Sequence, residues 1–267
     1  MSKMNKMMTL LACAAAALPF GVRAAEGEEA AASASGNLTV PSAYVWRGQV
    51  IVDDPVLQPD FTITKGGFSV GWWGNVALND DVTGDEYEVS EHDITVSYAT
   101  TCPLTGAGVT VGIVNFDFPN IGLVDAEGNV SLVNDTREAF IIYSLGDVVL
   151  APTLAVNYDF KEADGFYTSL GISHGVELAE GYTLGLAASL GGADSDWGGY
   201  YYGDVSGLTD YSVSASLPVA LTDSLTLTAG VQYVGLLEDA KDVVDETGIY
   251  FGDTEKFLGS LKLSYAF

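Results

Sequence analysis

The residues with the most chemistry to offer are few. His92 and His174 are the two histidines, and Cys102 is one of two cysteines. A histidine works as a general base when a hydroxyl or thiol nucleophile lies beside it. Here the contexts are His92-Asp93-Ile94 and Ser173-His174-Gly175, and neither carries a His-x-Ser-Asn pattern of the kind used in lipid hydrolysis. Each is expected to be a rim histidine. Cys102 has no Cys or His neighbour, so metal and redox chemistry lack an anchor there. No glycine-rich loop follows a strand and opens a helix, so phosphate binding has no support either. No catalytic residue and no tightly held cofactor or metal are expected.

Charged side chains on alternating segments offer more. By residue parity Arg47, Asp60, Glu91, Asp93 and Lys262 share faces with small polar residues, while Glu138 shares its face with Phe140 and Ile142. If those faces line a water-filled interior, the charges either brace the wall as ion pairs or select ions at a constriction. Arg47 and Asp60, on neighbouring segments, form a candidate pair. Two acidic runs, Asp80-Asp81-Val-Thr-Gly-Asp85-Glu86 and Asp194-Ser-Asp196, have the oxygen ligands that Ca²⁺ takes. Neither has EF-hand spacing, so loose Ca²⁺ association competes with a plain solvated acidic surface.

Composition narrows the partners. The 267 residues carry 10 Lys and Arg against 36 Asp and Glu, a formal net charge of −26. Such a balance excludes nucleic acid, because binding phosphates requires clustered cations. The first 24 residues read as a secretory signal: Lys3 and Lys6, then a mostly apolar run from Met7 to Val22, then small residues up to Ala24. Leu10-Leu11-Ala12-Cys13 is an alternative lipoprotein box, but the apolar stretch before Cys13 is short for one. Residues 25–36 are Ala, Glu, Ser and Gly and read as a flexible lead-in. Residues 37–267 form the folded unit.

Within that unit the dominant pattern has period two. Alternating segments begin at Asn37 and continue over 56–64, 68–78, 88–98, 108–117, 136–144, 148–158, 165–174, 182–191, 208–217, 224–235 and 256–267. In 182–191, Tyr182, Leu184, Leu186, Ala188 and Leu190 oppose Thr183, Gly185, Ala187, Ser189 and Gly191. A soluble sandwich also alternates, but its strands run about 5–6 residues, whereas a tilted strand needs about 9–11 to cross a bilayer. Aromatics fall near segment ends, including Tyr44, Trp46, Tyr98, Tyr158, Tyr182, Tyr233 and Tyr265, where interfacial girdles belong.

The connections also fall into two classes. The longer set (48–55, 79–87, 118–135, 159–164, 192–207 and 236–255) holds 22 acidic residues, and the shorter set holds four. A two-sided molecule explains that split. These features predict an all-β, closed antiparallel transmembrane β-barrel of about 12 strands in the bacterial outer membrane, because lipid leaves no partner for an open sheet edge. Termini and short turns then face the periplasm, and long acidic loops face outward. Expected partners are outer-membrane lipid, small polar or cationic solutes, and the barrel assembly machinery, which would read a terminal aromatic such as Phe267.

One stretch is more specific. Leu38-Thr-Val-Pro-Ser-Ala-Tyr-Val-Trp-Arg-Gly48 precedes Asp54-Pro55 and Gln58, and then Gly66-Gly67-Phe68-Ser-Val-Gly-Trp72-Trp73-Gly74-Asn75. It resembles the Gcw_chp family of exported bacterial proteins, with a Tyr-Val-Phe-Arg-Gly-like start and a Gly-Phe…Gly-x-Trp segment. Trp46 stands where Phe is usual, and loop 236–255 is long. The resemblance implies an outer-membrane barrel and no assigned reaction. Small Thr, Ser, Gly and Ala on the polar faces favour a water-filled passage, and the acidic loops and lumen charges favour cations, so a passive, cation-favouring pore for small solutes is expected. A closed structural or interaction barrel, with the acidic loops as binding surface, is the alternative; a lipid-modifying barrel enzyme ranks below both.

Overall fold

The computed structural model describes residues 31–79, 86–124, 130–203, 205–248 and 252–267. The expected signal segment with Cys13, the first half of the lead-in, and Asp80 to Asp85 of the first acidic run lie outside the described residues. Among the described residues, sixteen strands and two helices follow in chain order. They are β1 (Ser33–Pro41), β2 (Tyr44–Trp46), β3 (Gln49–Val52), β4 (Val56–Lys65), β5 (Phe68–Ala77), β6 (Glu88–Thr101) and β7 (Gly108–Asp117). Next come β8 (Gly122–Val124), β9 (Val130–Leu132), β10 (Thr136–Ser144), β11 (Thr153–Asp159), β12 (Gly165–Ala179) and β13 (Tyr182–Ala193). Helix α1 (Ser195–Tyr201), β14 (Gly207–Ala220), β15 (Leu225–Leu236), α2 (Glu238–Thr247) and β16 (Glu255–Ala266) complete the chain.

Twelve of the strands close a barrel in the order β1-β16-β15-β14-β13-β12-β11-β10-β7-β6-β5-β4, every pair antiparallel. They are the twelve segments that alternation predicts. The seam joins β1 to β16 in the register Ser35↔Ala266 to Pro41↔Ser260. Burial is inverted relative to a soluble protein. On β6, Ser90, Thr95 and Ser97 are buried while Ile94, Val96 and Tyr98 are exposed, and the same holds for Ser69 against Phe68 and Val70 on β5. Only an apolar surrounding medium makes that arrangement favourable.

At the short-turn end an aromatic group gathers over the seam. Phe267 packs edge-on against Phe61 and Tyr265, and its amide donates to Ala34 O at 2.9 Å. Phe68 and Tyr98 lie beside each other on the same rim, 4.6 Å between centroids. Tyr158 with Phe166, and Tyr211 with Tyr233, ring the opposite end.

Strands β6, β12 and β14 run past their expected ends, to Thr101, Ala179 and Ala220, and three further boundaries differ from expectation. Strand β1 begins at Ser33, so the last residues of the lead-in belong to the barrel. Strand β11 begins at Thr153 rather than 148, because Leu150 and Ala151 take positive φ values of 65° and 36° and hold 145–152 in a turn. The third difference is the largest. The chain leaves the wall after Pro41, and Tyr44 and Trp46 are not girdle residues. They form β2, which pairs with β3 in a hairpin turned into the barrel. Arg47 and Gly48 make its turn with φ of 49° and 83°. Glycine is required at 48 on two grounds: the left-handed backbone, and the absence of room for a Cβ between Leu236 and Asp210.

Candidate functional site

The hairpin crosses the lumen, as its contacts with opposite walls show. Trp46 meets Phe116 on β7 at 6.0 Å between centroids, and Tyr44 donates to Glu91 on β6 at 2.8 Å. On the other side Ala43 packs with Val234 and Leu258, and Gly48 abuts Leu236 at the end of β15. Its side chains are buried as deeply as a protein core, Val50 being 1 % exposed and Val52 0 %.

A buried ion pair fastens the turn of the hairpin to the wall. Arg47 Nη1 and Nη2 donate to Glu138 Oε1 and Oε2 at 2.7 and 2.6 Å, a fork-to-fork geometry in which both side chains are buried. The guanidinium lies 4.3 Å from the Trp46 ring centroid, 4.2 Å from that of Tyr167 and 5.2 Å from that of Trp197. Burial opposes the charge on Arg47, and Glu138 more than offsets it, so the guanidinium is held above its ordinary value. Tyr202 donates to Arg47 O at 2.8 Å and closes the turn from above. Arg47 therefore pairs with Glu138, not with Asp60. Asp60 instead accepts from Asn37 Nδ2 at 2.6 Å across the β1–β4 pair. The correction has a simple cause: a residue on a hairpin in the lumen chooses partners across the barrel and not on the next strand.

Two helices cover the long-loop end above the hairpin. Asp194 caps α1, its Oδ1 accepting from the Trp197 amide at 2.9 Å, so this acid of the Asp194-Ser-Asp196 run is committed to the helix start. Trp197, Tyr202, Val205, Leu236, Ala240 and Val244 form a buried cluster with Tyr167 below. Tyr201 donates to Asp159 Oδ2 at 3.0 Å, and burial followed by Asp159 pushes its phenol above the usual range. Lys256 pairs with Asp53 of the hairpin strand-exit and, at 2.6 Å, with Asp253 of the last long loop.

Toward the short-turn end the interior opens into a cavity of about 330 Å³. Arg47, Asp60, Asp93, Glu138 and Lys262 all line it; Glu91 does not, being engaged by the Tyr44 hydroxyl. Burial, then Glu91 and Asp93, push the Tyr44 phenol well above its usual range, so it remains a donor. The lining is two-sided. Ser214, Ser216, Thr228, Gly230, Ser260 and Ser264 come from β14 to β16 and fit the small polar interior expected. From β5, β7 and β10 come Trp73, Phe116 and Ile142. Those inward aromatics went unread in the sequence, although Trp72-Trp73 carries the signal: adjacent strand residues face opposite ways, so one of the two had to point inward.

The histidines lie away from the cavity. His92 Nε2 is 3.0 Å from Asp117 Oδ2 at the long-loop end of β6, and His174 is exposed on β12 with Leu170 and Ile172. Cys102 is in the β6–β7 turn and is a free thiol. Among the described residues no group of three His, Cys, Asp or Glu side chains is placed to hold a metal ion.

Solved structures with the same architecture are outer-membrane proteins. The COG4313 outer membrane channel from Pseudomonas putida F1 superposes with a TM-score of 0.51 at 12% identity, covering 92% of this chain and 100% of that one. The KdgM porin in complex with disordered oligogalacturonate gives a TM-score of 0.49 at 11% identity, covering 88% of this chain and 99% of that one. Among curated proteins, none matches. The barrel thus has the fold of outer-membrane channels. Residues 25–265 match the profile of Gcw_chp, a bacterial protein family of unknown function, and the chain belongs to that family.

Proposed function

We propose that the protein is a narrow, passive outer-membrane channel that favours small cations, with residues 1–24 as its export signal and the long acidic loops facing outward. The observation that carries this reading is the cavity below the hairpin. It is lined on one side by serines, threonines and glycines, and its charges lean acidic: Asp60, Asp93 and Glu138 against Arg47 and Lys262. Eight strands leave an interior that side chains can fill, and sixteen to eighteen leave an open channel. Twelve strands with an inserted hairpin leave a constricted path, whose conductance is small.

A second reading, the closed interaction barrel, draws support from the core-like packing of the hairpin beneath α1 and α2, where Trp197, Ala240 and Val244 are 0 % exposed. Single-channel recording of the purified full chain in planar bilayers decides between them. Expected is a small conductance with cation preference at low salt. That preference should weaken toward 1 M as the Debye length falls from about 10 Å to about 3 Å. Anion selectivity would contradict the electrostatics, and silence from folded barrel would favour the closed form. Any Ca²⁺ at the acidic loops belongs to this proposal as a loosely held counter-ion.

A further inference from the structure

We infer that the cavity contains a binding site for a small organic cation of the quaternary-ammonium class, formed by Asp93, Trp73 and Tyr44. The register places Asp60, Trp73 and Asp93 directly opposite one another on β4, β5 and β6. Directly opposed side chains on one face have Cβ atoms about 4.5–5.5 Å apart. The outward row beside them is Phe61, Trp72 and Ile94, all exposed, so Trp73 and the two carboxylates face inward. Tyr44 approaches from the hairpin with its ring 5.6 Å from Trp73 and tilted by 52°. Two aromatic faces at an angle, with a carboxylate alongside, offer a cation both ring faces and a counter-charge.

An independent observation points to an occupant. Asp93 is 9 % exposed and lines the cavity; its carboxyl meets that of Glu91, and its Oδ1 is buried with no protein donor, so two adjoining acids lie here without a cationic side chain between them. Buried carboxylate oxygens normally have partners, because stripping water from an ion without compensation is costly. Donors of this region are committed elsewhere. Arg47 is held by Glu138, His92 pairs with Asp117, and the Tyr44 hydroxyl is taken by Glu91. Lys262 lines the same cavity from β16, with β1, β4 and β5 between it and β6 in the wall.

The chemistry favours an organic cation over a metal ion. Hard divalent cations take six or more oxygen ligands, and the described residues gather no three ligating side chains. Aromatic faces attract a diffuse, weakly hydrated charge instead. A cavity of about 330 Å³ suits a molecule of a few carbon atoms.

This inference rests on the channel reading for the route by which the ligand arrives, and calorimetry separates the two because it needs no conductance. Choline chloride is titrated at low salt into the full chain folded in detergent, with folding checked by heat-modifiable gel migration. Expected is saturable binding at one site, with no heat from the neutral isostere 3,3-dimethyl-1-butanol. Asp93→Asn and Trp73→Leu should each weaken binding about tenfold or more, and Tyr44→Phe, which keeps the ring, about twofold or less. If Asp93→Asn does not fold, Trp73→Leu carries the test. Equal binding of choline and its isostere, no binding of either, or Ca²⁺ binding tighter than choline and lost in Asp93→Asn would each overturn the site. Choline binding without conductance removes the channel and keeps the site; cation-selective conductance without choline binding does the reverse.

Discussion

At the scale of residues, Arg47 and Glu138 matter most, because one buried ion pair ties the hairpin to the wall. Removing one partner leaves a buried charge uncompensated, a loss of about 3–5 kcal/mol, whereas replacing both with apolar groups of similar volume is near neutral. Glu138→Gln should therefore lower the temperature at which the folded gel band is lost and raise single-channel conductance. Arg47→Met with Glu138→Leu should recover most of the stability. An unchanged melting temperature in Glu138→Gln would show that aromatic packing around Arg47, not its charge, holds the hairpin. Parity alone assigned Asp60, Glu91, Asp93 and Lys262 to the inner face, because a lipid exterior leaves charge nowhere else to go. The partner of Arg47 was not legible. It lies 91 residues along the chain, and its choice depends on how far the hairpin reaches across the lumen.

At the scale of elements, the twelve wall strands could be read because each must alternate strictly between lipid and interior. The hairpin could not be separated from β1 in this way. Tyr44-Val-Trp46 and Gln49-Val-Ile-Val52 alternate or run apolar as a strand would, and only Arg47-Gly48 marks the break. The helices left clearer traces. Asp194 stands three residues before Trp197 as an N-cap, and α2 opens on Glu238 and Asp239 and closes on Gly248 with φ of 70°. A loop read mainly for its acids hid them. Gly165 fixes α1 against the wall, since a Cβ there would overlap the backbone of Trp197. Gly165→Val should lift α1 at a cost of about 1–3 kcal/mol and expose 194–206 to added protease while the barrel band persists. Uncut loops in that variant would mean that α1 shifts without loss of contact.

At the scale of the whole molecule, orientation decides which end meets the environment. A cysteine at Asp242, exposed on α2, should label with an impermeant maleimide on intact cells in a Cys102→Ala background, and one at Gly66 should not. The reverse pattern would turn the barrel over and put the acidic loops in the periplasm. The fold follows from patterns spread along the chain; the plugged interior follows from a single fourteen-residue excursion between β1 and β4 and leaves little statistical trace. That excursion has a further consequence. The hairpin is anchored at both ends to strands that pair directly with each other. It can neither thread through the closed barrel nor be shed by it, because both its ends stay fixed to the wall. An outward motion of the hairpin would be a flap on two adjacent hinges near Ser42 and Pro55, and it would leave the strand pairing of the wall in place.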